Sequence, residues 1–242
     1  MNIFDKGLLN LLSESGVIPV ESAPYYLVFA LAVIICAVIS YLLGSINSAI
    51  FFSKLLYKED VRTQGSGNAG LTNMLRTYGK VGAALTLLGD MAKTALAVLI
   101  TGLVFGFSYE NGISLDGFCY LAGLCAVLGH VFPIFYGFKG GKGVLVTAVM
   151  ALILCPPVFG ALILLFIIIV AISGYVSLGS IIAASLFPFC VSLYSYFVGG
   201  DLHPLTVACS VILALFVIWC HRSNIKRLRD GNEKKISIGK RK

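Results

Sequence analysis

The sequence predicts an all-α polytopic membrane protein with about seven transmembrane helices, its N-terminus outside and its C-terminus in the cytoplasm. Of its 242 residues, 58% are hydrophobic and only 12% are charged, about half the charged fraction of a soluble domain. The mean hydropathy is +0.95, and the apolar residues fall in runs long enough for helices of roughly 20 residues. This composition excludes a soluble enzyme, a disordered chain and a free nucleic-acid-binding protein.

The apolar runs predict seven helices, at 25–57, 81–107, 117–137, 143–155, 158–174, 177–198 and 204–221. The first run is too long for one crossing, so we expect its cytoplasmic end to project beyond the lipid or to lie in the interface. Pro156 and Pro157 must interrupt helical hydrogen bonding within the nearly continuous apolar stretch 143–174. If the two prolines only kink one helix, a count of five spans would keep the N-terminus and the C-terminus on the same sides of the membrane.

Basic residues set the predicted sidedness. They cluster at 54–80, 139–142 and 222–242, and 143–221 contains neither lysine nor arginine. Because basic residues in short loops mark the cytoplasmic side, we assign all three clusters to the cytoplasm. The seven cysteines show neither CxxC pairs nor zinc spacing, and we interpret them as small apolar residues.

We divide the chain into an N-terminal extension (1–24), a single transmembrane domain (25–221) and a basic cytoplasmic tail (222–242). The tail could lie on an anionic leaflet, or it could be a solvated segment that only fixes the topology. A short interfacial helix is expected in the extension. Its apolar face would be formed by Leu8, Leu9, Leu11 and Leu12.

The first polar segment is GSGNAGLTNMLRTYGK, residues 65–80. Gly65, Gly67 and Gly70 match G-x-G-x-x-G, but no strand precedes them, so we reject a dinucleotide site. Without Cβ atoms, the backbone could still aim N–H groups at an anion, and Arg76 adds a planar fork for phosphate. The alternative is a surface loop whose arginine only fixes topology. The neutral donors of the segment are Ser66, Asn68, Thr72 and Asn73.

The second polar segment is GHVFPIFYGFKGGKG, residues 129–143. Gly140, Gly141 and Lys142 stand before an apolar helix, whose N-terminus would favour an anion. The segment is not a Walker loop, because Tyr136 and Gly143 occupy positions where that loop needs glycine and Ser or Thr. A tight turn whose lysines only obey the positive-inside rule is the alternative.

Asp90, Lys93 and His130 lie well inside predicted spans, away from their ends. His130 is a functional candidate for that reason, although a histidine hydrogen-bonded between helices is the alternative. Asp90 and Lys93 are three residues apart on one helix, and we favour an internal ion pair over direct substrate contact.

The third polar region is divided between VSLGS (176–180), interpreted as a polar break, and HRSNIKRL (221–228). On one helix, His221 and Asn224 would share a face with Leu228. The alternative is an interfacial anchor with basic residues that snorkel.

These segments, in this order, resemble the three cytoplasmic motifs of the bacterial acyl-phosphate:glycerol-3-phosphate acyltransferases, the PlsY family. GDMAK (89–93) resembles the aspartate–lysine pair of that family. The resemblance covers about 41–230. The chain departs from the family pattern at GSINSA (44–49), at SLGS, where alanine is expected in place of the glycine, and in the extension 1–24.

The resemblance implies a seven-helix enzyme of the bacterial inner membrane whose active site faces the cytoplasm. It would transfer a fatty acyl group from acyl phosphate to the sn-1 hydroxyl of glycerol 3-phosphate, giving 1-acylglycerol 3-phosphate and phosphate. Its partners would be these two substrates and membrane lipids, with no nucleic acid. It would require no cofactor or metal, and neither acyl-CoA nor acyl carrier protein.

By the same resemblance, His130 would hold glycerol phosphate, and the glycines of both segments would offer backbone N–H groups. The residues that would bind phosphate groups are Ser66, Arg76, Lys142 and Asn224. Further substrate contacts would come from Gly65, Gly67, Asn68, Asn73, Gly140, Gly141 and His221.

The residues themselves agree with that chemistry, because acyl phosphate is already activated and positioning with charge stabilisation can supply most of the rate. A substrate phosphate oxygen as the proton acceptor is one hypothesis. A transporter for an organic phosphate is the competing class. Against it, both glycine-rich segments map to one face, and no inverted repeat is visible. A structural membrane protein would not need two such segments.

Overall fold

The computed structural model describes residues 3–19, 22–107, 109–110, 113–114, 117–199 and 202–236. Within these residues the chain is helical apart from one small hairpin of β1 (Tyr109–Glu110) and β2 (Ile113–Ser114), which pair antiparallel. The helices are α1 (Ile3–Glu14), α2 (Ala23–Ser45), α3 (Ser48–Tyr57), α4 (Leu71–Phe105), α5 (Gly117–Val131), α6 (Val144–Leu154), α7 (Pro156–Ser173), α8 (Val176–Tyr194), α9 (Pro204–Cys220) and α10 (Arg222–Arg229). Short 3₁₀ helices occupy Val61–Thr63 and Ile134–Tyr136, and a short π-helix occupies Ser195–Gly199.

Five helical segments of the described chain are long and apolar enough to cross a membrane, and a sixth is obtained if α9 and α10, bent by 55°, count as one. The class predicted from the sequence, an all-α polytopic membrane protein, is therefore confirmed. The count of seven is not reached by this criterion. The reason is α6, which has 11 residues and spans only about 16 Å at 1.5 Å per residue.

Two predicted boundaries at the start of the chain are wrong. The run 25–57 is not one helix, because α2 ends at Ser45 and the side chain of Asn47 caps α3. The second span begins at Leu71 rather than at residue 81, so Arg76 lies on a helix and not in a loop. The helix continues through Gly79, which has non-helical backbone angles (φ 74°, ψ −161°), because glycine tolerates the kink.

Two further breaks lie near α7. Pro156 opens a new helix after Cys155 leaves helical geometry (φ −150°, ψ 70°), so the stretch 143–174 holds two helices rather than one kinked helix. The expectation of a polar break at 176–180 is wrong, because these residues form the first turns of α8. The break lies at Gly174, whose φ of +77° favours glycine.

The helices run between two ends of a bundle. At one end, Phe29 of α2, Phe105 of α4 and Phe118 of α5 pack ring against ring. The predicted extension does form a helix, α1, which packs on this end, with Gly7 against Phe105. Its leucines do not share one uniform face, since Leu9 is buried and Leu8 is exposed. The polar segments gather at the other end.

Candidate active site

One cavity of about 790 Å³ connects all the polar segments singled out in the sequence. Its apolar part lies between α7 and α8 and includes Phe159, Leu162, Phe166 and Phe187. Its polar part includes Gly65, Ser66, Gly67, Asn68, Asn73, Arg76, His130, Gly141, Lys142, His221 and Asn224. The predicted residues are thus brought together, with the exception of Gly140, which packs against the His130 carbonyl.

Glycine loop 1 (residues 65–70) is shaped by the side chain of Asn73, which is buried. Its Nδ2 donates to the carbonyls of Val61 (3.1 Å) and Gln64 (3.0 Å), and its Oδ1 accepts from the Ser66 N–H (2.9 Å). The Gly67 N–H donates to Gln64 (2.9 Å). Asn73 therefore positions the loop, and the expectation that it serves as a free substrate donor is wrong.

Two arginines near glycine loop 1 have opposite surroundings. Arg62 forms a two-point ion pair with Asp60 and also donates to the carbonyls of Tyr136 (2.7 Å) and Lys139 (3.0 Å). It therefore joins the first and second polar segments. Arg76 is exposed at the cavity and makes no hydrogen bond or ion pair with any described residue. Its planar fork is available for a phosphate.

Glycine loop 2 (residues 137–143) is held by backbone hydrogen bonds. The Gly140 N–H donates to Val131 (3.0 Å), and the Gly141 N–H donates to His130 (3.1 Å). The expectation that these two N–H groups are free for an anion is therefore wrong. Gly141 is required for a different reason, because a Cβ there would collide with the His130 ring and the Ala69 carbonyl.

Free N–H donors come instead from helix ends. The first residues of α4, α6 and α8 all line the cavity, and none of these three helices has a side-chain cap. The N–H groups of an uncapped first turn lack intrahelical partners, and the helix dipole adds positive potential there. Three helix N-termini are therefore directed at one polar space, which favours phosphate groups.

Lys142 lies beside α10. Its Nζ donates to the Oδ1 of Asn224, whose side chain is buried at the start of that helix. Burial lowers the pKa of Lys142 to about 8, although the nearby Glu233 carboxylate opposes that shift. His221 lies at the bend between α9 and α10, and Asn224 lies in the first turn of α10. Both reach the cavity.

His130 belongs to a cluster that is buried between α2, α4 and α5. Lys93 lies 2.8 Å from Asp90 and 3.0 Å from Nδ1 of His130, and Asp90 also accepts from Ser48 (2.9 Å). The internal ion pair favoured from the sequence is thus present. If one of the three N–H groups of the Lys93 ammonium is donated to Nδ1 of His130, the ring proton lies on Nε2. Nε2 lies beside Gly141, at the cavity.

Sequence reasoning missed two residues of this site. Asn47 is buried, and its amide reaches the carbonyls of Ala69 (3.4 Å) and His130 (3.5 Å). The polar break that GSINSA makes in an overlong apolar run was a usable signal for it. Glu233 enters the cavity from the tail, and no local pattern marks it. No cluster of three metal-ligating side chains occurs among the described residues.

A cationic cavity that continues into an apolar groove between membrane helices defines an integral membrane protein that handles phosphate-bearing and fatty groups together. The sequence model described as glycerol-3-phosphate acyltransferase matches residues 34–231. The chain therefore belongs to the glycerol-3-phosphate acyltransferase family.

Relatives and solved structures agree with this assignment. Glycerol-3-phosphate acyltransferases of Syntrophomonas wolfei and Clostridioides difficile are each 43% identical to this chain, over 83% and 84% of it and 95% of their own length. The crystal structure of PlsY (YgiH) in its glycerol 3-phosphate form superposes with a TM-score of 0.73, at 31% identity, covering 85% of this chain and 96% of that one. The lysophosphatidic acid form gives a TM-score of 0.71, at 31% identity, over 85% and 95% of the two chains.

Proposed function

We propose that this chain transfers a fatty acyl group from acyl phosphate to the sn-1 hydroxyl of glycerol 3-phosphate, releasing 1-acylglycerol 3-phosphate and phosphate. The observation that carries the proposal is the single cavity, whose polar part combines three uncapped helix N-termini with Arg76 and Lys142. Two phosphate groups need two sets of donors, and the arginine approaches the cavity from α4 while the lysine approaches it from glycine loop 2. A related structure in a glycerol 3-phosphate form supports one of these phosphates.

The apolar part of the cavity is suited to the acyl chain. Phe159 and Leu162 on α7 and Phe187 on α8 line it, and these helices present exposed apolar side chains such as Ile167 and Phe189. An acyl chain could therefore reach the cavity from the bilayer while its phosphate end stays among the cations. A related structure in a lysophosphatidic acid form is consistent with such a groove.

The chemistry requires one acyl transfer. The sn-1 oxygen forms a bond to the acyl carbonyl carbon, the bond from that carbon to the phosphate oxygen breaks, and the departing phosphate carries the hydroxyl proton. His130, held through Nδ1 by Lys93, would offer its Nε2–H to glycerol phosphate. Arg76, Lys142, Asn224 and Ser66 would hold phosphate oxygens, and preorganised donors of this kind stabilise developing negative charge.

We further propose seven passes, with the N-terminus outside and the cavity facing the cytoplasm of a bacterial inner membrane. Support comes from α6 and α7. Val144 at the start of α6 lines the cavity, and Gly174 at the end of α7 accepts from Ile236 of the tail (2.8 Å). The two helices therefore leave and return to the polar end, so α6 acts as a short pass.

The test is an assay of the detergent-purified protein with palmitoyl phosphate and glycerol 3-phosphate. We expect phosphate release that depends on both substrates and survives EDTA. Palmitoyl-CoA and palmitoyl acyl carrier protein serve as competing donors. Turnover with either of them but not with palmitoyl phosphate would contradict the proposed donor.

Sidedness is tested separately in a background without native cysteines. A cysteine at Thr63 should resist an impermeant thiol reagent in intact cells, whereas one at Asn111 should react. Equal labelling at the two positions would contradict the proposed topology.

A further inference from the structure

The two glycine loops are separate segments of the chain, and acyl transfer needs both of them at once. Ser66 belongs to glycine loop 1 and Lys142 to glycine loop 2, and both line the cavity. If each loop helps to hold one phosphate, the sn-1 hydroxyl meets the acyl carbonyl carbon only while the loops keep a fixed spacing. The contacts that set this spacing are therefore part of the site.

Among the described residues, Arg62 makes the shortest hydrogen bonds between the chain around glycine loop 1 and the chain around glycine loop 2. It lies in the short 3₁₀ helix before glycine loop 1, and its Nη1 donates to the carbonyls of Tyr136 (2.7 Å) and Lys139 (3.0 Å). These carbonyls belong to the residue before glycine loop 2 and to a residue within it. Asn47 also approaches both regions, but at 3.4 and 3.5 Å, so its hydrogen bonds are weaker.

The carboxylate of Asp60 fixes the direction of the Arg62 guanidinium. Its Oδ1 accepts from Nε (2.9 Å) and its Oδ2 accepts from Nη2 (2.7 Å), which leaves Nη1 for the two carbonyls. Hydrogen bonds from Arg62 hold the pKa of Asp60 at about 2, although burial alone would raise it, so the carboxylate is ionised near neutral pH. A two-point pair between a planar guanidinium and a carboxylate has a defined geometry, and it therefore holds the arginine in one orientation.

The segment that carries Arg62 is itself attached to glycine loop 1. Asn73 donates to the carbonyls of Val61 (3.1 Å) and Gln64 (3.0 Å), which flank that segment, and it accepts from the N–H of Ser66 (2.9 Å). A continuous series of hydrogen bonds therefore runs from glycine loop 1 through the Asn73 amide and the Arg62 guanidinium to glycine loop 2.

We propose that Arg62 is a positioning residue, which sets the spacing between the two glycine loops so that both substrates meet in the geometry of acyl transfer. The proposal rests on the proposed function in that the two loops contribute to different phosphate sites. Arg62 lies outside the lining of the cavity, so its loss should leave the binding of each single substrate nearly unchanged. The step that needs both substrates should slow, because a displacement of about 1 Å can cost on the order of a hundredfold in rate.

The first measurement is steady-state kinetics of Arg62→Lys against Arg229→Lys. Lysine keeps the charge, but its single nitrogen cannot bind the Asp60 carboxylate at two points and also reach two carbonyls. Arg229 likewise pairs with a neighbouring aspartate, Asp230, but it is exposed and lies outside the cavity lining. We expect Arg62→Lys to lower kcat about tenfold to a hundredfold, with KM for each substrate within about threefold of the wild type. Arg229→Lys should match the wild type.

The second measurement needs no turnover. It combines the Kd of glycerol 3-phosphate and of hexadecyl phosphonate, a donor analogue that cannot transfer an acyl group, with hydrogen–deuterium exchange of the purified protein. In Arg62→Lys, both Kd values should stay within about threefold of the wild type, whereas the backbone amides of 134–141 should exchange faster, because their region has lost its attachment. Exchange in α9 should stay unchanged, which separates a loss of spacing from general unfolding.

Three results overturn the proposal. The first is a wild-type kcat in Arg62→Lys, and the second is unchanged exchange over 134–141. The third is a large loss in the Kd of one substrate, because it would mean that Arg62 binds that substrate directly. If Arg62→Lys does not fold, Asp60→Asn takes its place. It keeps the arginine but removes the carboxylate that directs it, so the same pattern is expected with a smaller loss in kcat, and the same three results apply.

The two proposals fail in different ways. A wild-type protein that binds both ligands but does not use palmitoyl phosphate refutes the proposed donor. The binding and exchange measurements still report on Arg62 in that case, and kcat is then compared with whichever competing donor supports turnover.

Discussion

Two clusters in this molecule each combine a carboxylate, a lysine and a third polar group that faces the cavity. The buried cluster (Asp90, Lys93 and His130) lies inside the bundle, and its ion pair is formed by residues three apart on α4. The cavity cluster (Glu233, Asn224 and Lys142) joins the tail, α10 and glycine loop 2 at the rim. In the first, Lys93 lies beside the imidazole of His130, and in the second, the amide of Asn224 lies between Glu233 and Lys142.

The two clusters differ in burial, so we expect the loss of one partner to reduce stability in the buried cluster and activity in the cavity cluster. Asp90 and Lys93 are 1% and 4% exposed, and Lys93 also donates to the last turn of α2 at Gly44 (3.1 Å) and just beyond it at Ile46 (3.0 Å). An unpaired charge there has no access to water, so losing one partner should endanger the fold. Lys142 and Glu233 lie at an open cavity, where water or a ligand can replace a lost partner.

The largest expected effect is that of Asp90→Ala. Leaving Lys93 buried without its carboxylate should cost about 3–5 kcal/mol of stability, measured by thermal melting in detergent. Glu233→Ala should cost far less. The paired replacement of Asp90 by Leu and Lys93 by Met should recover much of the stability but not turnover, because Nδ1 of His130 loses its donor. A wild-type melting curve for Asp90→Ala would show that the buried cluster does not contribute more to stability than the cavity cluster.

Arg76→Lys should have the next largest effect. Lysine keeps the charge but cannot reproduce the two parallel donors of the guanidinium, so kcat/KM should fall about tenfold to a hundredfold, or about 1.5–3 kcal/mol. Lys80→Arg, an exposed basic exchange on the same helix, is the control. If both exchanges leave kcat/KM unchanged, Arg76 only attracts anions over a distance.

Gly141→Ala tests the contact between glycine loop 2 and the buried cluster. The added methyl group would displace the His130 ring or the Ala69 carbonyl, and overpacking of this kind costs about 1–3 kcal/mol. We expect a loss in kcat/KM of roughly tenfold, since displaced groups react poorly. Gly160→Ala in α7 meets nothing within 4 Å, so it should keep wild-type activity. Normal kinetics of Gly141→Ala would show that the ring position tolerates movement.

The smallest effect is a pH dependence of the cavity cluster. Because burial lowers the pKa of Lys142 to about 8, its cation is present below that pH and is lost as the pH rises through it. The value of kcat/KM should therefore fall above pH 8, by about tenfold near pH 9 if the neutral form is inactive. The groups facing Lys142 are Glu233, Arg227, Cys220 and His221.

Lys142→Arg is the matching variant. It stays charged, so this alkaline limb should disappear, while the bulkier guanidinium should still lower kcat/KM beside glycine loop 2. A limb that persists in Lys142→Arg belongs to another group.

Patterns that depend on near neighbours in the chain were predictable. The positions of the apolar runs follow from hydropathy, and the Asp90–Lys93 pair follows from helical spacing alone. The convergence of segments 65–80, 129–143 and 221–228 on one cavity was also predictable, because each of them contains or adjoins a basic cluster that marks one side. The early start of α4 was missed because a polar first turn resembles a loop in sequence.

Hydrogen-bond partners could not be read in the same way. Arg62 and Arg76 are equivalent as basic residues near a glycine-rich segment. Arg62 is saturated by Asp60 and two carbonyls, whereas Arg76 has no hydrogen-bond or ion-pair partner in the described part of the chain. The N–H groups of Gly140 and Gly141 likewise looked available and are used by the preceding turn. Which donor remains free depends on what the fold brings beside it.

The sequence by itself determined the membrane class, the order of the helices and the candidate residues for binding phosphate, because hydropathy and charge act locally along the chain. Only the tertiary structure decided which of those residues are free to bind and which hold the site together. It did so by packing α10 and the tail beside Lys142, so that Asn224 contacts both Glu233 and a lysine 82 positions earlier in the sequence. Contacts at that separation leave no periodic trace in the sequence.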